Sequence, residues 1–223
     1  MSDSTLPYLD RRHAGRVLAE KLIHYAENAN LLVLALPRGG VPVGFEVAHA
    51  LQAPLDVFVV RKLGFPGHEE YAMGAIASGG VRFMSPMPGF SVSPEALAEI
   101  VAREQSELAR REQLYRGQRP APVLDGRTVI VVDDGLATGA TMRAALRAIR
   151  RQHPARLVAA APVGAEDTCR ALHDDADEVV CAAVPHAFRA VGQWYKNFSQ
   201  TSDDEVIALL DEARHEQAML AKS

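Results

Sequence analysis

The sequence predicts an α/β fold, a doubly wound parallel sheet with a small C-terminal hood. Continuous apolar runs of strand length recur along it, "LLVLAL" and "RTVIVV" among them, as in strands buried on both faces. Between these runs lie segments with helical spacing and capping residues. Strand and helix patterns alternate throughout, and a parallel sheet wrapped by helices buries both economically. A length of 223 residues suits one such domain, and 48 % hydrophobic residues can fill its core.

In chain order, Asp10 can cap a helix over residues 11–27, with Ala14, Val17, Leu18, Leu22 and Tyr25 as its apolar stripe. "LLVLAL" (31–36) is a buried strand; "PRGG" and a helix over 41–51 follow it. "LDVFVVRK" (55–62) reads as the next strand. "LGFPGHEE" (63–70) holds two Gly and a Pro and reads as a mobile loop. "YAMGAIASGGVRF" reads as two short strands turning at Gly79-Gly80. Ser93 as cap and Pro94 as first helical residue start a helix to about 115, with Leu97, Ile100, Val101, Leu108 and Tyr115 inward.

"GQRPAPVLDG" is a linker, "RTVIVV" a central strand, and 141–152 a helix. "ARLVAAAPV" and "EVVCAAV" are further strands around a short helix at 167–173, and "SDDEVIALLDEARHEQAML" is a capped C-terminal helix. This organisation gives a core over 1–183 with the loop 63–70, a hood over 184–201, and a terminal helix over 202–223.

With 24 basic and 28 acidic residues the net charge is −4, which argues against a nucleic-acid partner. No apolar run approaches the roughly 20 residues of a membrane span, and the N-terminus lacks an apolar signal core. Cys169 and Cys181 form no CxxC pair and no metal-ligand spacing, so they read as small core residues in a reducing cytoplasm. A cytoplasmic location is therefore expected.

"VIVVDDGLATGAT" places Asp133 and Asp134 at the carboxyl end of a buried strand, where parallel sheets bind ligands. Two adjacent acids there are costly unless a ligand shares the site. The next residues, Leu136, Ala137, Thr138, Gly139, Ala140 and Thr141, are small or aliphatic and run into a helix N-terminus. Such a loop cradles an anion, best a phosphate, and the Thr138 and Thr141 hydroxyls can add hydrogen bonds. A phosphorylated sugar would satisfy both features, its phosphate on the amides and its hydroxyls on the carboxylates. The plainer alternative is a strand-end turn whose acids only cap and solvate.

"VIVVDDGLATGATMRAA" resembles the phosphoribosyl pyrophosphate (PRPP) motif of the type I phosphoribosyltransferases. "LPRGGVPVG" is similar to that family's pyrophosphate loop, and "VVRKLGFPG" looks like the strand and basic pair before its flexible catalytic loop. The overall match is to an uncharacterised bacterial group of predicted phosphoribosyltransferases. The resemblance implies transfer of the 5-phosphoribosyl group from PRPP to a nitrogenous acceptor, with release of pyrophosphate. Asp133 and Asp134 then hold the ribose, and Mg²⁺ is bound mainly through PRPP and water, with no direct protein ligand. Arg38, Gly39 and Gly40 hold the pyrophosphate, in a loop that often contains a strained non-proline cis peptide.

Arg61 and Lys62 point to opposite faces of their strand, so one can reach the ligand while the other holds the loop or a neighbouring subunit. His68, in the lid, is a candidate to stabilise the departing pyrophosphate; a solvated loop histidine is its alternative. Glu69 and Glu70 read as loop-ordering residues. The implied assembly is a homodimer.

Ala137 stands where the 6-oxopurine enzymes carry Asp, which argues against guanine, hypoxanthine and xanthine; the loop is closer to that of the adenine enzymes. Phe188, Trp194, Tyr195 and Phe198 concentrate in the hood, either to stack on a heterocyclic acceptor or to pack the hood onto the core. A PRPP-sensing regulator, or a hydrolase or phosphorylase using the same site, are the alternatives to a transferase. The intact PRGG and RK elements favour catalysis.

Overall fold

The computed structural model describes residues 6–66, 68–84 and 92–220. Helix α1 (Arg11–Leu22) leads into β1 (Leu31–Ala35), α2 (Gly40–Leu51) and β2 (Leu55–Val57). A hairpin unit of β3 (Val60–Phe65), β4 (His68–Ala77) and β5 (Val81–Met84) precedes the long α3 (Pro94–Arg116). The chain then alternates through β6 (Thr128–Val132), α4 (Ala140–Arg150), β7 (Arg156–Val163), α5 (Glu166–Ala171), β8 (Glu178–Ala183) and α6 (Asp203–Leu220). The main sheet has the order β2-β1-β6-β7-β8, and every pair in it is parallel. From β1 the chain winds outward to β2, and from β6 it winds the other way to β7. The β1/β6 boundary is therefore the switch point at which a doubly wound sheet opens a crevice.

Continuous hydrophobicity follows from burial on both faces. Val33, Ala35, Ile130, Val132, Val158 and Ala160 share one core with Leu18, Val43, Val47 and Leu210 of α1, α2 and α6. Their neighbours Leu32, Leu34, Val129, Val131, Leu157 and Ala159 share the other core with Met142, Leu146 and Ile149 of α4. The expected caps form: Asp10 accepts from His13 N at 2.7 Å, and Ser93 accepts from Ala96 N ahead of Pro94. The turn between β4 and β5 has positive φ at Gly79 (81°) and Gly80 (73°), the mirror-image turn that two glycines permit.

Some expectations need correction. Residues 55–62 are not one strand: the chain leaves the main sheet after Val57 and pairs again as β3 with β4, antiparallel. Phe58 and Val59, both buried, form the link, so hydrophobicity alone could not reveal the break. Residues 63–70 are not an open loop either. β3 runs to Phe65 and β4 starts at His68, with register shifts around Gly64, so that glycine serves an irregular pairing inside a hairpin. The first helix stops at Leu22, and a single 3-10 turn, Ile23–Tyr25, completes the stretch predicted to 27.

Cys169 and Cys181 are not separate thiols but form a disulfide joining α5 to β8. The connection folds back so that their Cα atoms lie 6.8 Å apart, a proximity that the 12-residue spacing does not announce. The cysteines thus lend no support to a reducing compartment. No helix among the described residues is long and apolar enough to cross a membrane.

The end of α3 is fixed by a buried charge. Arg116, 6 % exposed, donates to Asp56 at 3.0 Å, to Glu112 at 3.1 Å and to the Val57 carbonyl at 2.5 Å. Removing one partner of such a set strands the others, at a cost of about 3 kcal/mol. Arg116→Met should therefore lower the urea midpoint by that amount of stability without changing the slope. An unchanged midpoint would show that the set contributes nothing.

Candidate functional site

The switch-point crevice is where the sequence-predicted loops meet. β6 ends at Val132, and the next two residues are the acids. Asp133 N donates to the Ala160 carbonyl at 3.2 Å, which extends the β6–β7 pairing by one residue. Asp133 Oδ1 accepts from Asp134 N at 2.9 Å. Asp134 Oδ2 accepts from Arg11 Nε at 2.8 Å, and the Asp134 carbonyl accepts from the Tyr195 hydroxyl at 2.5 Å. Burial raises Asp133 well above the ordinary carboxylate range, and the charge of Asp134 adds to the rise. Burial raises Asp134 too, but the Arg11 guanidinium opposes it.

The turn after β1 presses against these acids. Leu36 N donates to the Val132 carbonyl at 2.9 Å, which carries the β1–β6 pairing to the edge of the crevice. The Pro37–Arg38 peptide is cis. A Cβ on Gly39 would fall on the Asp134 carboxylate, and one on Gly40 would come within 2.6 Å of the Val132 carbonyl oxygen. Both positions are glycine because the two loops occupy that space. Arg38 stands 3.8 Å from Asp203, which also accepts from the Tyr115 hydroxyl at 2.6 Å. Burial and Asp203 push the Tyr115 hydroxyl up to about 12, so it stays a donor.

Beyond the acids, the predicted phosphate loop turns into α4. Leu136 is buried and its amide is donated to the Val163 carbonyl, whereas Ala137 and Thr138 are exposed. Gly139 has φ 67° and offers no side chain to cap α4; Gly39 likewise leaves α2 without a side-chain cap. The start of α4 offers amide donors for an anion, whereas at the start of α2 Gly40 N and Val41 N are already donated to the Leu36 and Arg38 carbonyls and residue 42 is a proline. Thr168 braces the loop from behind, its hydroxyl donating to the Ala137 carbonyl at 2.6 Å.

The other candidates fall elsewhere. Arg61 is held by Glu104 of α3 at 2.7 Å, and Lys62 is exposed on the hairpin. The side chains of His68, Glu69 and Glu70 lie outside the described residues. Phe188 and Trp194 stack with ring centroids 6.3 Å apart. Tyr195, 6 % exposed, packs beside Tyr8 and has no open face for a stacking partner. Burial and the Asp134 charge raise the Tyr195 hydroxyl, so it too remains a donor. It is Val191 whose methyl groups lie against Gly135, over the acid-pair loop.

Sequence reasoning missed the N-terminal contribution. Tyr8 N donates to the Trp194 carbonyl, Lys196 N to the Tyr8 carbonyl, and Asn197 N to the Leu9 carbonyl, at 2.8, 2.8 and 2.9 Å. The Tyr8 hydroxyl reaches the Pro162 carbonyl at 2.7 Å. The residues around 194–197 are thus paired with the segment before α1, and Arg11 follows directly from it. The only signal was an apolar cluster, Leu6, Pro7 and Tyr8, inside a polar N-terminus.

A family model for the phosphoribosyl transferase domain matches residues 8–205, and the chain belongs to that family. It is 48 % identical over 209 residues to two Mycobacterium tuberculosis proteins, one named "Putative phosphoribosyl transferase Rv0571c" and the other "Putative phosphoribosyl transferase MT0597". The match covers 93 % of this chain and 47 % of each relative, so the chain spans about half the length of the curated relatives it matches. A solved structure, that of TT1426 from Thermus thermophilus, is 43 % identical with a TM-score of 0.80 over 91 % of this chain and 97 % of that one.

The raised Asp133 carboxyl has a consequence for stability. A folded-state value above the unfolded one means that the fold favours the protonated acid, so this group's stabilising contribution is present at low pH and lost as pH rises through the folded value. Asp133→Asn removes that loss and can keep the bond from Asp134 N. The variant should melt above wild type at pH 8, and the gap should narrow as pH falls below the raised folded value and vanish once pH is below the ordinary carboxylate range. A pH-independent difference in Tm would show that Asp133 titrates normally.

Proposed function

We propose that the protein transfers the 5-phosphoribosyl group from PRPP to a nitrogenous acceptor, with release of pyrophosphate. One observation carries the reading. A desolvated acid pair lies in contact with a side-chain-free turn, between two helix N-termini, at the switch point of the sheet. A ligand with hydroxyls in the middle and phosphates at both ends fits that arrangement. The 5′-phosphate lies on the 137–141 loop at the start of α4. The ribose hydroxyls donate to Asp133 and Asp134. The pyrophosphate lies on Gly39 and Gly40, with Arg38 leaving Asp203 to meet it.

Among the described residues no group of three or more His, Cys, Asp or Glu forms a metal cage. Two carboxylates, one tied to Arg11, suit a Mg²⁺ that enters on PRPP and keeps its waters, with the acids in its outer sphere. Bound there, it would neutralise the pyrophosphate. The chain's own part is electrostatic: as the C1′–O bond stretches, Asp133 and Asp134 favour positive charge on the ribose, while Arg38 favours negative charge on pyrophosphate. Lys62, exposed on the hairpin, is a cation that can approach, within this site or across a homodimer; Arg61 anchors the hairpin to α3 through Glu104. The acceptor is a base or amine, and Ala137 argues against 6-oxopurines because it supplies no hydrogen bond to the imidazole edge.

Hydrogen bonds to charged groups contribute about 1.5–3 kcal/mol each. Replacing both Asp133 and Asp134 with Asn should therefore weaken PRPP binding by roughly 100-fold in calorimetry with Mg²⁺, with the fold intact by circular dichroism. Wild type should release pyrophosphate with one member of a panel of bases and amines, guanine and hypoxanthine being poor. Equal PRPP affinity in the double variant refutes the ribose assignment.

A further inference from the structure

One side chain links the acid pair to the hood segment. Arg11 opens α1, and its side chain is 12 % exposed. Its Nε donates to Asp134 Oδ2 at 2.8 Å, and its Nη1 donates to the Ser199 carbonyl at 2.6 Å. The guanidinium carbon stands 4.0 Å from the centroid of the Phe198 ring. The same Nε lies 3.2 Å from where a Cβ on Gly39 would sit. The acid pair, the turn after β1 and the segment after Trp194 therefore meet on one planar cation. Only a forked, stacking group can make these contacts together; a lysine ammonium is a single point of charge.

We propose that Arg11 is a positioning residue of the phosphoribosyl site, holding the Asp134 carboxylate in one orientation for the ribose and fastening the Trp194–Ser199 segment beside it. The inference rests on the PRPP reading above. With Asp134 Oδ2 committed to Arg11 and Asp133 Oδ1 to a backbone amide, the remaining carboxylate oxygens are the ones aimed at ribose hydroxyls. The bond from Nη1 makes the hood segment part of the same unit, so ordering the acids and ordering the hood are one event. Buried next to Asp133, an Asp134 without its guanidinium would be driven toward the protonated form, and a protonated acid no longer accepts through both oxygens.

The test uses wild type, Arg11→Met and Arg11→Lys, with PRPP and Mg²⁺ as the probe. Calorimetry gives the PRPP Kd well below Tm, and the single tryptophan, Trp194, reports on the hood by its fluorescence. We expect Arg11→Met to bind PRPP at least ten-fold more weakly and to shift Trp194 emission to longer wavelength in the free protein. Arg11→Lys should be intermediate in both. Wild-type affinity in Arg11→Met, whatever its Tm, overturns the proposal and leaves Arg11 a brace. If Arg11→Met is unfolded by circular dichroism, Arg11→Lys decides: weakened PRPP binding supports the role and wild-type binding overturns it. Absence of PRPP binding by wild type overturns the phosphoribosyl reading itself, and this inference with it.

Discussion

The site depends on how closely the end of β1 approaches the end of β6. The two strands pair in register through Ala35 and Val132, and Leu36 N extends the ladder to the Val132 carbonyl. Beyond that point the chains would normally diverge. Here Gly39 and Gly40 let the turn lie against Asp134 and the Val132 carbonyl, in space a side chain would fill. The start of α2, the orientation of Arg38 and the placement of the acids all follow from that approach.

Bringing two carboxylates into this position is unfavourable, and the rest of the molecule is arranged around it. Arg11 offsets the charge of Asp134 from one side. Tyr195 donates to the Asp134 backbone from another, and α5 supports the neighbouring loop through Thr168. The sheet beneath is apolar on both faces, so it can hold the strand ends rigidly while the polar groups stay at its rim. A ligand that brings hydroxyls and cationic character to the acids would offset the cost of burying them.

What was legible in the sequence was what is local. The strand preceding Asp133, the loop of small residues after Asp134 and the Gly39-Gly40 turn each announce themselves within a dozen residues, because strand-end chemistry is written in consecutive positions. Arg11 was not legible: it meets Asp134 across 123 positions, and beside Asp10 it reads as an ordinary first-turn charge. The roles of Arg61 and Lys62 were left open for the same reason: the group that holds Arg61, Glu104, comes from a helix 43 positions on. Residues 55–65 misled in another way. A buried bend at Phe58 and Val59 carries the same hydrophobic signature as an uninterrupted strand. The cysteine pair shows the limit from the other side, where spacing gave no clue and the return of the chain from α5 into β8 decided everything.

The pairing of Tyr8 with Tyr195 has a temporal meaning. A chain emerges from the ribosome in order, so Arg11 must wait a further 188 positions before its partner Ser199 exists. The sheet and its helices can assemble in the interval from contacts nearer in sequence. The crevice cannot, because one of its walls joins two segments that lie far apart in the sequence. A variant lacking residues 194–199 could keep the sheet and still lack one wall of the crevice.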